Sequence, residues 1–441
     1  MQYGQRSLLV DCGLFQGLDE AEQLNRQPLH CLARQAEALV LTHAHTDHVG
    51  NVPRLIREGF RGPIFCTEPT PDLCQLLWMD SARLQQLRAT PELPATFDEN
   101  DALDALDQLQ ALSYATPFSV MPGVQATFYN AGHILGSAWV ELEFAPLPEW
   151  PEQRPVVVVF SGDIGREGHS MLAPPQRPGR ADFLVLESTY GDRLHAPIQA
   201  GEQLAAAVNL ARRRRSTLLI PAFALQRSHD LVYLFEDLLE QKKIEPISLF
   251  LDSPMACKAL DVYHDFPDYL SPEAADKLEQ SDLLLRYPYF RCCLAAAQSR
   301  QIMEFSPPRV IISASGMAEG GRILNHLRRF LPDPEAQLLF SGFQCPGTRG
   351  RALLDGASSV DIDGQRVEVH CQIDYLEGLS GHADYQELGE WLSQLERPPQ
   401  TTFLVHGDEP ARASQQARLG EKGWDARCPA HEETCVLISN E

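Results

Sequence analysis

The apolar run Ala38–Leu41 leads straight into Thr42-His43-Ala44-His45-Thr46-Asp47-His48. Three imidazoles and a carboxylate within six residues, set at the end of a strand-like run, constrain this chain more than anything else in it. Histidines two apart near a strand end can turn their rings to one side. Asp47 and His48 then turn back towards a second point. Imidazole nitrogens with a carboxylate are the donor set of zinc or a similar divalent ion.

Other short apolar patterns end the same way: Asp11 after SLLV, His133 after ATFYNAG, Asp163 after VVVVFSG, Glu187 after DFLVL and His406 after TTFLV. Any one of these could cap a turn, Asp163 beside its glycine above all. A core that left polar groups at the end of strand after strand would carry a heavy desolvation cost. Together they suffice for two ions: His43, His45 and His133 on one, Asp47, His48 and His406 on the other, with Asp163 able to bridge.

The texture of the chain sets the architecture around these residues. Ser7–Val10, Ala38–Leu41, Pro63–Phe65, Val156–Phe160 and Phe183–Glu187 read as buried strands between Gly, Pro and Asp turns. Asp72–Arg88 and the acidic stretch Phe97–Leu112 read as helices, and the Pro-rich stretch 146–155 as a surface hairpin or loop. From about Tyr190 strand candidates (Thr217–Phe223, Ile247–Leu251, Arg309–Ser313, Ala336–Ser341) alternate with helical patterns. That alternation predicts a parallel sheet covered by helices. After about Ile373 the histidine-bearing, glycine-rich style returns. The expected order is a mostly-β domain (1–189), an inserted α/β domain (190–374) and a return segment (375–441). A length of 441 residues suits two or three domains.

Composition removes several classes. No apolar run approaches the roughly 18–20 residues of a membrane helix, and MQYGQRSLLVDCG does not read as a secretion signal. The 11 cysteines are odd in number and form no CxxC pair, Cys292-Cys293 being the one close pair. They read as buried thiols of a cytoplasmic protein with no disulfide-linked partner. A net charge of −23 excludes a broad basic surface for nucleic acid.

THAHTDH, GHILGSA, SGDIGR and VDCGLFQG resemble the motifs of the metallo-β-lactamase superfamily. ESTYGDR (Glu187–Arg193), PAFALQR (Pro221–Arg227), DSPMA, SASGMAEGGR (Ser313–Arg322), LSGHADY and LVHGDE resemble those of its β-CASP branch of nucleic-acid nucleases. The resemblance implies an α/β chain: a metallo-β-lactamase αββα sandwich with an inserted Rossmann-like parallel-sheet (β-CASP) domain. Glu187, His382 and His406 are similar to the branch's three acidic or histidine motifs. Histidine at the third resembles the RNA-processing members, such as the mRNA 3′-end cleavage nuclease and its bacterial and archaeal relatives. Ribonuclease J, with a further C-terminal domain, fits less well with the 35 residues after His406.

The implied activity is a two-zinc ribonuclease, with Mn2+ the alternative ion, cutting single-stranded RNA internally. Two ions about 3.5–4 Å apart share a bridging hydroxide that attacks phosphorus, with Asp163 among the catalytic residues. His382 is the expected general acid, its ring held and kept protonated by Glu187. Asp11 is expected behind the ligands, orienting a ligand loop. Ser315, Gly316, Gly320, Gly321 and Arg322 are expected to meet RNA phosphate, with Arg227, Arg349 and Arg351 adding charge. Arg212–Arg215 reads instead as a solvated helix end. A 5′-exoribonuclease, a lactone or thioester hydrolase and a silent RNA-binding subunit remain the alternatives, and a homodimer is left open. Two departures from the branch stand out. Relatives usually carry a strand pair before SLLVDCG, so either the start of this sequence is misplaced or its first sheet lacks one edge. Gln226 also stands where relatives often have glycine.

Overall fold

The computed structural model describes residues 1–16, 21–146, 154–195, 199–281, 285 and 287–438. Most of the Pro-rich stretch 146–155 falls outside them. Alternation within each apolar run decides the layers. In the strands Arg6–Val10 (β2), Ala38–Val40 (β3) and Ile64–Thr67 (β4), the side chains of Leu8, Ala38, Val40 and Phe65 point into one core. Leu39, Ile64 and Cys66 point to the opposite face, against Val52, Leu55 and Trp78 of flanking helices. Runs buried on both faces are what parallel pairing under helices demands. These strands pair in parallel, with Leu109–Leu112 (β5) parallel to β4 at one edge.

The other edge is a short hairpin. Gln2–Tyr3 (β1) pairs antiparallel with Arg6 and Ser7, and Gly4 supplies the positive φ of 60° that the turn requires. Among the described residues this two-residue strand, not a strand pair, lies beyond β2. A correction concerns Phe97–Leu112, which is not one helix. Asp98 and Asp101 form a reciprocal cap for a helix over Glu99–Leu106, and the chain then turns into β5.

A second sheet faces the first. Phe118–Met121 (β6), Val124–Asn130 (β7), Ala138–Phe144 (β8) and Val156–Phe160 (β9) run antiparallel, and Phe183–Glu187 (β10) joins β9 in parallel. Phe128, Val140, Leu142, Val158 and Phe183 close the core shared with Leu8, Val40 and Phe65. Val157, Val159, Leu184 and Leu186 bury the other face under Leu388, Trp391 and Leu419. The result is an αββα sandwich.

The chain leaves this sandwich after β10. Thr217–Pro221 (β11), Ser248–Asp252 (β12), Phe290–Cys292 (β13), Arg309–Ser313 (β14) and Gln337–Phe340 (β15) enter a sheet whose pairings are all parallel. After the hairpin Ser359–Ile362 (β16) and Gln365–Glu368 (β17), Gln372–Tyr375 (β18) completes the order β13-β12-β14-β11-β15-β18. The chain then returns: Thr401–Val405 (β19) pairs with β10 in parallel, and Ala426–Arg427 (β20) lies beyond it. The Arg212–Arg215 run ends the helix Ala200–Arg214, with Arg215 left-handed at its cap. Cationic residues are favoured at that end of a helix dipole.

Candidate functional site

Strand ends of both sandwich sheets converge on one point. His43, His45, Asp47 and His48 follow β3, His133 lies between β7 and β8, Asp163 follows β9, Glu187 ends β10 and His406 follows β19. The loops that carry them are crowded: a Cβ added at Gly13 would lie 1.6 Å from the Asp47 carbonyl oxygen. Two residues take left-handed backbone there, Asp11 at φ 59° and His406 at φ 49°. Strained backbone of this kind gathers at functional sites.

The donor atoms fall into two groups joined by Asp163. His45 Nδ1 lies 3.1 Å from both His43 Nε2 and His133 Nε2, and Asp163 Oδ2 lies 3.4 Å from each of those Nε2 atoms. Ligands about 2.0–2.1 Å from a tetrahedral ion stand roughly 3.3 Å apart, so these spacings fit. The other oxygen, Asp163 Oδ1, is 3.4 Å from His48 Nε2 and 3.6 Å from His406 Nε2. His406 Nε2 is in turn 3.1 Å from Asp47 Oδ2.

Protons cannot satisfy this arrangement. The Nδ1 atoms of His133 and His48 donate elsewhere, to the Gly381 carbonyl at 2.8 Å and to Asp11 Oδ2 at 2.8 Å. Their Nε2 atoms thus face the site as acceptors. His48 Nε2 and Asp163 Oδ1 are buried with no hydrogen-bond partner among the described residues. Buried polar atoms left unpaired mark a place for an ion, and the residues present fit divalent metal. Asp11 also accepts from the backbone N–H and the hydroxyl of Thr42, at 2.8 Å each.

Electrostatics separate the two groups. Burial pushes His45 down to about 3, and lowers His43 and His133 as well. Neutral imidazole is the ligating form. Burial opposes protonation of His406, but Asp163 and the bond to Asp47 outweigh it and lift His406 to about 9. His48 is raised for a like reason, Asp163 and Asp11 outweighing its burial. Both shifts show that the carboxylates around His406 and His48 favour positive charge at that point.

His382 stands beside the ligands. Its Nδ1 is 3.2 Å from Glu187 Oε2 and 3.9 Å from Asp163 Oδ2, and its ring packs on His133 with centroids 4.4 Å apart. Burial would lower its pKa, but the Glu187 carboxylate raises it. Glu187 is fully buried and fixed by the Ile164 N–H at 2.6 Å.

Sequence reasoning missed the residues that hold this machinery. Thr189 Oγ1 bonds His406 Nδ1 at 3.0 Å, and His195 Nε2 donates to the His382 carbonyl at 2.9 Å. His195 lies in the ESTYGDRLH run, so its nearness to Glu187 was a signal open to use. A further acidic group, His195, Asp384 and Glu387, has its donor atoms close together. Asp384 caps the helix Tyr385–Trp391, with Glu387 reciprocating and also pairing with Arg166 at 3.2 Å. Those carboxylates are spent on structure.

Most of the residues expected to meet RNA phosphate are engaged by other groups of the chain. Arg322 donates to Asp252 Oδ1 at 2.8 Å and to the carbonyls of Cys293 and Leu294 at 2.6 and 2.8 Å. Ser315 Oγ accepts from the N–H groups of Glu319 and Gly320, which closes the glycine-rich loop on itself. Gly316 packs against Phe223, and Gly321 takes φ 77° to complete the turn. Arg349 is engaged by the carbonyls of Ala318 and Asp361, and Arg351 by Asp355 at 2.9 Å. Arg227 is buried, 3.6 Å from Asp230.

Family models match three stretches: a metallo-beta-lactamase superfamily domain over residues 1–143, a Beta-Casp domain over 228–353 and a Zn-dependent metallo-hydrolase RNA specificity domain over 366–429. Ribonuclease TTHA0252 of Thermus thermophilus is 32% identical over 407 residues, 92% of this chain and 89% of that protein. The chain belongs to the β-CASP branch of the metallo-β-lactamase superfamily. The β-CASP fold accounts for the parallel-sheet insertion between β10 and β19. This β-CASP chain is a metal-dependent hydrolase. The transcription termination factors FttA of Methanocaldococcus jannaschii and Methanosarcina mazei are each 29% identical to it, over 91% and 92% of its length. The chain spans 63% of each of those two relatives. Among the described residues no helix is long and apolar enough to cross a membrane, and the cysteines are free.

Proposed function

We propose that this protein is a two-zinc endoribonuclease acting on single-stranded RNA. The observation that carries the reading is the carboxylate of Asp163, whose two oxygens face two separate sets of imidazoles at 3.4 Å. His43, His45 and His133 would hold one ion, Asp47, His48 and His406 the other, and Asp163 both. Bound zinc at such a pair supplies an activated water and charge stabilisation for a phosphodiester.

The chain's own residues supply the rest. The Gly381 carbonyl and the Asp11 carboxylate fix the tautomers of His133 and His48, so that a nitrogen lone pair of each faces inward. Glu187 favours the protonated form of His382 at the rim of the site. From there the imidazolium delivers a proton to the departing ribose 3′-oxygen, which would otherwise leave as a poor alkoxide. Similarity to a ribonuclease along nearly the whole chain and the match to an RNA specificity domain support RNA as the substrate.

The test is cleavage of 5′-labelled and internally labelled single-stranded RNA and DNA by the metal-loaded protein, with Asp163→Ala as control. Internal cuts in RNA alone, lost in the control, are expected. Stepwise release of mononucleotides would remove the endonuclease assignment. No cleavage of any RNA would overturn the reading as a whole.

A further inference from the structure

Leu225, Gln226 and Arg227 form a tight three-residue turn. The Arg227 N–H donates to the Leu225 carbonyl at 2.9 Å, and Gln226 sits at φ 61°, ψ −65°. A turn of this hand is rare and strained, and glycine alone would bear it without a steric cost. Strain kept at a position that carries a long polar side chain points to what that side chain does.

Gln226 is 4% exposed, and both the oxygen and the nitrogen of its amide are bonded. Oε1 accepts from the Tyr263 hydroxyl at 2.7 Å and from the backbone N–H of Leu135 at 3.1 Å; Nε2 donates to Asp230 Oδ1 at 2.8 Å. Tyr263 and Asp230 belong to the inserted domain, but Leu135 belongs to the sandwich, two residues beyond His133. Within that loop Ser137 Oγ accepts from the N–H groups of His133 and Ile134, at 2.9 and 3.1 Å. Among the described residues, the next N–H, of the buried Leu135, is satisfied only by Gln226. A second crossing lies alongside: His169 of the sandwich, whose Nδ1 accepts from Met171 N and Leu172 N, places Nε2 3.2 Å from Asp230 Oδ1.

We propose that Gln226 is a positioning residue: its amide ties the His133 loop to the inserted domain, so that docking of that domain fixes one wall of the metal site. The inference rests on the reading of His133 as a metal ligand and adds a dependence that the ligand set alone does not contain. It also gives a reason for the strained backbone.

Three variants test it. Gln226→Met keeps the bulk and loses all three bonds, and Gln226→Gly also relaxes the turn. Tyr263→Phe removes a bond to the same oxygen but leaves that of Leu135. Hydrogen exchange of the peptide spanning 133–138 would be measured in metal-free and zinc-loaded protein, and zinc loss to a chelator in the loaded protein. Both Gln226 variants should exchange about tenfold faster at Leu135 and lose zinc several-fold faster, with Tyr263→Phe within about twofold of the parent. Parental exchange in Gln226→Met would overturn the tether. Faster exchange with unchanged zinc loss would overturn its link to the metal site. A parent that binds no zinc would sink the metal reading, and the exchange measurement would still decide the tether.

Discussion

His382 Nδ1 stands 3.2 Å from Glu187 Oε2, at the rim of the site and in contact with the His133 ring. Because the Glu187 carboxylate raises the imidazole's pKa, the pair has a pH signature. An acid catalyst works while protonated, so the rate falls as pH rises through the His382 pKa. Glu187→Gln removes the charge that raises that pKa. The falling limb of the pH–rate profile should move to lower pH. A limb that stays in place, or moves up, contradicts the assignment. His382→Ala should lose about 10²–10⁴ in rate while zinc content, read by elemental analysis, stays parental.

The two donor groups predict stepwise metal loss. His133→Ala should lower the zinc-to-protein ratio from two towards one, and His406→Ala should do the same from the other side. Asp163→Ala touches both groups and should drop the ratio below either single variant. Equal ratios in all three would show that Asp163 does not join the sites.

Arg322 should matter for folding. Its guanidinium is committed to the fully buried Asp252, which also holds His326 at 2.7 Å and Ser299 at 2.5 Å. Arg322→Ala strips a partner from a buried carboxylate and should cost about 2–4 kcal/mol in urea unfolding. RNA affinity at a temperature where the variant is folded should change little. A large affinity loss with parental stability would restore the arginine to the RNA surface.

Asp182 links Arg154, Arg180 and Arg397 and accepts from the Val157 N–H at 2.9 Å. Burial works against the charge, but these donors hold the carboxyl down to about 2. A depressed folded pKa gives stability that is complete above the unfolded value and lost as pH falls through the folded one. Asp182→Asn should therefore cost about 1.5–2 kcal/mol at pH 7, kept modest because two of the arginines reach in from solvent. The gap between variant and parent should narrow as pH drops from about 4 towards 2. A gap independent of pH would rule out the ionised form as the source.

Much of the site was legible because its chemistry is local. His43 to His48 carry four donors in six residues, and each remaining donor ends an apolar run that can be read as a strand. The pairing of Glu187 with His382 was not legible from spacing, since 195 residues separate them; only resemblance to a family brought them together. The bond of Arg322 to Asp252 was not legible either, because 70 residues separate them and tertiary packing brings them together. Phe97–Leu112 misled for another reason. Its acidic residues suit a helix throughout, and only pairing with β4 turns Leu109–Leu112 into a strand. The hairpin edge at Gln2–Tyr3 is too short to show alternation at all.

The pairing of β10 with β19 makes the site depend on the closing of the sandwich. His406 lies 363 residues after His43 and reaches the site only when Thr401–Val405 has paired with Phe183–Glu187. Until that pairing forms, the donor group of Asp47 and His48 lacks its third member. The histidine-rich segment that announces the site in the sequence is therefore unable to complete it alone.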